Sequence, residues 1–415
     1  MMTVSAPFAA DGIGIPQLPN NWTLPELRDI SHRVMVGIAS AATHAYRERG
    51  IPMFRNKDIG EGILRDDDLL FLDEAYEHAH RRKRLQPGDI LTVRTGNPGV
   101  SAVVPPEFAN AQCFTSLITR PNSQLVDSWY LCEFINSVHG MRQINVAQAG
   151  AAQKNVNAQR LQRIQVPLPP LSEQRAIVEV AATWTSVIQQ LSEVIAAKLR
   201  FKQGLMQQLL SGKRRFCAFA GRSLIPQELA TFLTPVTRPT QRPTHAYTAL
   251  GLRSHGKGTF FRHVEDPTQV QMEELYHVVA DDLIVNITFA WEGAIAIAST
   301  EDERALVSHR FPTFVIDRSK ALPEFLRQIV ITPWFVFKMG LVSPGGAGRN
   351  RVLNKKDFLK IAIPLPHLDE QEKIAGLLGS CDRELDLLRR QLNALRMQKK
   401  GLMQKLLTGQ VRVKP

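Results

Sequence analysis

The chain contains a copy of part of itself. Residues 164–212 (IQVPLPPLSEQRAIVEVAATWTSVIQQLSEVIAAKLRFKQGLMQQLLSG) align without a gap on residues 361–409 (IAIPLPHLDEQEKIAGLLGSCDRELDLLRRQLNALRMQKKGLMQKLLTG) at an offset of 197. Eighteen of the 49 positions are identical, and they gather at the two ends, as PLPxLxEQ and GLMQxLLxG. A duplication on this scale constrains the architecture before any finer reading. Whatever the segment builds is built twice, and a large stretch of chain precedes each copy.

Each copy reads as one long helix. Pro167, Pro169 and Pro170 in the first copy, and Pro364 and Pro366 in the second, exclude helix upstream. Ser172 and Asp369 then fall where an N-cap oxygen would accept the first free amides, and Asp369 with Glu372 would complete a capping box. Gly212 and Gly409 stand where a left-handed residue closes a helix. The span from Ser172 to Leu210 corresponds to about 58 Å at 1.5 Å per residue. Ile177, Ala181, Trp184, Ile188, Leu191 and Ile195 recur at alternating steps of four and three. Ile374, Leu378, Cys381, Leu385, Leu388, Leu392 and Leu395 do the same in the second copy. A sustained 3.5-residue period is a coiled-coil seam, although an ordinary core helix packed on its own domain would also show an apolar stripe. Two seams of matching length predict mutual, antiparallel pairing. The molecule then has a pseudo-two-fold axis, with a large module at each end of a helical spacer.

The two large segments resemble each other. QPGDILTVRTGNPGVSAVVPP and ADDLIVNITFAWEGAIAIAST each place an acid (Asp89, Asp282) before a β-branched run, a glycine-containing turn and a second apolar run. Each reads as a mixed α/β domain of short strands. A helix is expected near 128–138 in one and near 323–339 in the other, followed by a polar, glycine-rich turn before the proline segment. The fold class is therefore α/β (α+β): two similar domains separated by two long antiparallel helices. The expected boundaries are 1–163, with 1–20 as a flexible extension, then 164–216, 217–360 and 361–415.

Composition narrows the function classes. With 44% apolar and 22% charged residues the chain is globular in character. Its four cysteines are far apart and form no CxxC pair, which favours a reducing compartment over a disulfide scaffold. No apolar run approaches a membrane span, and the N-terminus has no secretory pattern, so a cytoplasmic protein is expected. Net charge is +12. It concentrates in the helical copies: 164–220 holds seven basic and three acidic residues, and 361–415 holds ten and six.

No catalytic constellation is visible. GLRSHGKG at 251–258 approaches a phosphate-binding loop, but Gly258 replaces the hydroxyl residue that would hold magnesium, so a polar loop is expected. SPGGAGRN follows no strand that would make a dinucleotide-binding turn. His78 and His80, in a charge-rich run, read as a solvated face rather than a metal pair. GxSxG, HExxH, amino-methyltransferase and nuclease signatures are absent. What remains are polar clusters suited to nucleic acid. One is Arg81–Arg84. A second is Arg349, Asn350, Arg351, Lys355 and Lys356, and the third, at the matching place in the first half, is Gln153, Lys154 and Asn155. Arginine and lysine reach guanine edges or phosphates, and asparagine and glutamine pair with adenine.

These features together, PLPPLSEQRAI and PLPHLDEQEKI leading into helices that end GLMQQLLSG and GLMQKLLTG, closely resemble the specificity subunit of type I restriction–modification systems. The likeness runs from Trp22 onward, and LPNNW at 18–22 is similar to that family's opening. The resemblance implies two target-recognition domains that read an asymmetric, bipartite sequence in double-stranded DNA. It implies two DNA methyltransferase subunits docked on the helices, with motor/endonuclease subunits beyond them. S-adenosylmethionine, ATP and magnesium would belong to those partners; this chain would hold no cofactor or metal and catalyse nothing. Recognition loops carry the base contacts in this family. That implies Arg94, Thr95 and Asn97, the Asn286–Trp291 stretch, and Gln153, Lys154, Asn155, Arg349, Asn350, Arg351 and Lys355 as DNA-binding residues. Two other readings remain open on the sequence: a coiled-coil scaffold with two protein-binding end domains, and a specificity subunit of a methylation-only or type IIB-like system.

Overall fold

A computed structural model of the chain describes residues 18–145, 155–222, 224–345 and 351–414. The chain divides into two compact units, one made of residues 1–191 with 391–415 and the other of residues 192–390. The division cuts both long helices, Leu171–Leu209 and Leu368–Leu406, so each helix begins in one unit and ends in the other. No helix is long and apolar enough to cross a membrane, among the described residues.

Both helices start two residues earlier than the cap reading predicts. The carbonyl of Pro170 accepts from Glu173 and Gln174, and that of His367 accepts from Glu370 and Gln371. Ser172 and Asp369 therefore sit inside the first turn, where Asp369 favours the helix dipole but caps nothing. The C-terminal reading holds. Gly212 and Gly409 have φ of +72° and +71°, and the amides of Arg214 and Val411 return to the carbonyls of Gln208 and Lys405.

Burial follows the 3–4 period along the whole of each helix. Within the first unit the helical segments run antiparallel: the Thr185 hydroxyl accepts from Lys399 at 2.9 Å, and Glu173 meets Arg412. The second unit repeats this with Lys198–Glu384 at 2.7 Å, Lys202–Asp382 at 2.5 Å, and Arg215–Glu370. The ends of the seams are buried in the domain cores, and between them Leu385 and Leu392 are buried as well. Ile177, Ala181, Met403 and Leu406 join the core of the first unit, while Leu209, Ile374 and Leu378 join that of the second. Trp184, Ile188, Leu191 and Leu388 are half-buried, as a two-helix seam open on both sides requires. Each stripe thus does both things the sequence allowed, pairing along its length and serving as core helix at its ends.

Each unit contains its own four-stranded sheet, and the two sheets have the same strand order. In the first, Ser31–Val36, Leu117–Pro121, Ile90–Thr92 and Ser101–Val103 lie in that order, all antiparallel. In the second, Leu233–Val236, Thr313–Ile316, Leu283–Val285 and Ile295–Ile297 repeat the order and directions. Both faces of this sheet are covered. Ile90, Val103 and Leu117 pack toward the helices, and Leu91, Ala102 and Ile118 pack the other way onto Phe54 and Ile59. Leu283 and Val285 oppose Ile284 in the same manner. Double coverage explains why these strands read as unbroken apolar runs rather than alternating ones.

The acids before those runs are buried anchors. Asp89 pairs bidentately with Arg120 at 2.8 and 2.7 Å and accepts from the amide of Gln86. Asp282 pairs with Arg238 at 2.5 and 3.2 Å and accepts from that of Val279.

The helix expected in each domain is broken in two. Ser128–Asn136 is followed by Val138–Asn145, and Pro323–Ile329 by Pro333–Leu341. Ser137 and Thr332 adopt extended backbone at the break, and Pro333 enforces it in the second unit. Of the expected extension, residues 1–17 lie outside the described residues, but Pro19 packs against Gly409 and its carbonyl accepts from the amide of Trp22.

Candidate nucleic-acid interface

In the first unit the strand Ile90–Thr92 runs into the Arg94–Asn97 turn, where Gly96 has φ +90° and Thr95, Gly96 and Asn97 are exposed. Asn155 and Val156 lie alongside. Val156 donates its amide to the carbonyl of Arg94 at 3.1 Å, Thr95 and Asn155 form an antiparallel bridge, and Arg94 Nε donates to Asn155 Oδ1 at 3.3 Å. Four residues singled out from the sequence, Arg94, Thr95, Asn97 and Asn155, are thereby gathered on one surface. Gln153 and Lys154 lie outside the described residues. Asn56 completes the group: its Nδ2 donates to Thr95 Oγ1 at 3.0 Å, and its Oδ1 accepts from Ser116 Oγ at 2.8 Å. Nothing near Asn56 in the sequence signals this, because it arrives through the parallel pairing of Met53 and Phe54 with Gln112 and Cys113.

The second unit builds the equivalent place. Leu353 donates its amide to the carbonyl of Ile287 at 2.9 Å, as Val156 does to Arg94, the two being 197 residues apart. The next residue in each unit, Asn157 or Asn354, caps a short helix with its side chain. The repeat therefore extends upstream of the proline segments. Arg351 lays its guanidinium over the Trp291 ring, 5.4 Å from the centroid. Both line an open cavity of about 820 Å³ with His255, Phe337, Leu341 and Ser343. Trp291 Nε1 is buried without a partner among the described residues. Asn286 shapes the turn itself, its Oδ1 accepting from the amide of Thr288 at 3.0 Å. Lys355 is exposed at the start of the helix Lys355–Leu359, with no hydrogen bond to Trp291 or Asn286 among the described residues. Arg349 and Asn350 lie outside them.

The arrangement presents guanidinium, amide and hydroxyl groups on glycine turns whose backbone can be approached closely. These groups suit base edges and phosphates.

The Arg81–Arg84 cluster is largely committed elsewhere. Arg84 grips Glu77 with two bonds of 2.7 Å, and Lys83 donates to the Gly37 carbonyl at 2.7 Å. The Arg84 pairing holds the Glu77 carboxyl below the usual carboxylate range despite its burial. GLRSHGKG, the near phosphate loop, is a β-hairpin tip joining Tyr247–Leu252 to Thr259–Val264. Burial pushes the Cys113 thiol up to about 12, so it is no nucleophile at neutral pH.

The chain matches the family model for the type I restriction modification DNA specificity domain over residues 19–197 and 282–397. A putative type I restriction enzyme MjaX specificity subunit of Methanocaldococcus jannaschii is 24% identical, covering 96% of each chain. The EcoKI specificity subunit of Escherichia coli is 23% identical over 45% of this chain and 40% of its own. Among solved structures, a chain from a study of complex assembly and conformational transition in the type I R-M system superposes with a TM-score of 0.59. It has 16% identity and covers 95% of this chain and 100% of that one. The S subunit from M. genitalium gives 0.54 at 14% identity, covering 94% and 98%.

Proposed function

The chain belongs to the type I restriction–modification DNA specificity family, and from that premise we propose how it acts: as the DNA-recognition subunit, each unit reading one half of a bipartite, asymmetric target. The observation that carries this reading is the doubled site. Two units with the same sheet order each bring a polar glycine turn against the residues that precede a repeated proline–helix segment. One unit presents Arg94, Thr95, Asn97 and Asn155, and the other Trp291 and Arg351, so the two surfaces differ and read different bases.

In this reading the long helices set the gap between half-sites and carry two methyltransferase subunits, with motor/endonuclease subunits joining the assembly. The chain itself is non-catalytic. S-adenosylmethionine, ATP and magnesium belong to the partner subunits.

Expression with its methyltransferase subunit in a methylation-free host, followed by single-molecule sequencing, tests the proposal. The expected result is one split motif of fixed gap, methylated at adenine on both strands. A complex that forms and binds S-adenosylmethionine yet leaves the genome unmodified would support the scaffold alternative instead.

A further inference from the structure

In both units a second loop converges on the glycine turn. The first unit's strand Ile51–Phe54 pairs in parallel with Gln112–Cys113 and leads directly into Asn56 and Lys57, beside Thr95. The second unit's strand Tyr247–Leu252 pairs in parallel with Leu306–Val307 and leads into the tip Arg253–Gly258. That tip is docked on the candidate site by three bonds. The amide of His255 donates to the Glu292 carbonyl at 2.6 Å, the amide of Gly256 to the Gly293 carbonyl at 3.0 Å, and Ser254 Oγ to Glu292 Oε2 at 2.7 Å.

The tip is also conformationally fixed. His255, Gly256 and Gly258 have φ of +63°, +64° and +76°, and a Cβ on Gly256 would stand 2.9 Å from Ile331 Cγ2. Facing outward from this fixed tip are Arg253, His255 and Lys257. Arg253 is engaged, donating to the Thr259 carbonyl and stacking on Phe260. Lys57, the basic residue of the first unit's loop, is likewise tied to Asp68. Lys257 has no hydrogen bond or ion pair among the described residues, and its neighbours His255 and Arg253 offer no counter-charge.

From this we infer that the hairpin tip Arg253–Gly258 is a second DNA-contacting loop of the second unit, with Lys257 neutralising a backbone phosphate beside the half-site read by the Trp291–Arg351 group. A lysine is a hydrated point charge on a flexible stem, suited to a phosphate rather than to bidentate base reading. The inference rests on the proposed DNA-recognition role.

The test uses the assembled complex of this chain with its methyltransferase subunits, on a duplex carrying the motif found by sequencing. Dissociation constants are measured between 50 and 200 mM salt. Lys257→Gln is expected to weaken binding and to lower the magnitude of the log–log salt slope by about 0.9, the release due to one phosphate contact. The gap between the variant and the unsubstituted complex then closes about threefold across that salt range. Lys257→Arg should restore the slope, and the methylated motif should stay the same in both variants. An unchanged affinity and slope in Lys257→Gln would overturn the inference while leaving the DNA-recognition role intact. So would a changed second half-site at constant slope, which would make Lys257 a base reader. Absence of specific binding by the unsubstituted complex would overturn both.

Discussion

The repeated Glu-Gln pair shows why particular residues recur. Gln174 and Gln371 are fully buried, and each makes three bonds out of its helix. The Gln174 Oε1 accepts from the amide of Asp127, and its Nε2 donates to the carbonyls of Leu125 and Pro169. Gln371 repeats the pattern with the amide of Leu322 and the carbonyls of Lys320 and Pro366. Gln174→Leu should therefore destabilise its unit by about 1–3 kcal/mol for each backbone group left unpaired, read as a lower denaturant midpoint. A loss below 0.5 kcal/mol would mean that water replaces the amide. The preceding Glu173 accepts Arg412 at 2.5 and 2.7 Å and the Trp22 indole at 3.1 Å, as Glu370 accepts Arg215. The sequence displays these identities, but the partners lie far away along the chain, so their roles emerge only from the fold. Glu77 adds a pH dependence. Its native carboxyl is held below its ordinary value, chiefly by Arg84, so the unfolded chain binds the proton more readily. The stabilisation is complete above the unfolded value of about 4.3 and is lost as pH falls through the lower native value. Acid titration should thus loosen the Glu74–Lys83 region, and Glu77→Gln should flatten that dependence below about pH 4.3. An unaltered acid profile in the variant would show that other carboxylates govern it.

At the scale of elements, glycines separate into those the chain needs and those it does not. A Cβ on Gly409 would lie 2.5 Å from Pro19 Cδ, in a left-handed conformation; one on Gly212 would lie 2.2 Å from Leu224. Gly401, inside the second long helix, would meet nothing within 4 Å. Gly409→Ala should then cost about 1–2 kcal/mol from backbone strain alone, with the clash in addition. Gly401→Ala should stabilise the helix by about 1 kcal/mol. Thermal melts of the two variants should shift in opposite directions, and a shared direction would contradict this account. The helices were legible because proline, glycine and a 3.5-residue period are local signals spread over 39 residues. The paired apolar runs around 90–103 and 283–297 were legible for the same reason. The helix break at Ser137 was not, since no local signal marks it and the tertiary fold of the unit fixes the extended residue; that at Thr332 is written locally in Pro333, but the apolar residues on both sides of it mask the break. Nor were the first-turn positions of Ser172 and Asp369, where the carbonyl of a proline or a histidine starts the helix and His367 Nδ1 also accepts from the Asp369 amide at 3.5 Å. In the candidate site the glycine turns could be read, whereas Asn56 and His255 could not: each is delivered by a strand whose partner is more than fifty residues away.

At the scale of the whole molecule, each unit has its own cores and its own candidate site, while both long helices are shared. If the helices measure the gap between half-sites, their length should be adjustable without touching what is read. The seam sets the increment. Four inserted residues would rotate the apolar stripe out of register, but seven preserve the alternation of three and four. The insertion must enter both helices, because one unit pairs Lys198 with Glu384 and Lys202 with Asp382, while the other pairs Thr185 with Lys399 and Glu173 with Arg412. A heptad added to one helix alone displaces one set relative to the other. The prediction is therefore specific. Seven residues inserted after both Leu191 and Gln391 should give a folded complex whose methylated motif keeps both half-sites and requires a longer gap, at about 1.5 Å of helix per added residue against 3.4 Å per base pair. That corresponds to about three base pairs. The same insertion in only the first helix should lower stability and abolish methylation. A double insertion that methylates the original motif at its original spacing would show that something other than these helices sets the distance.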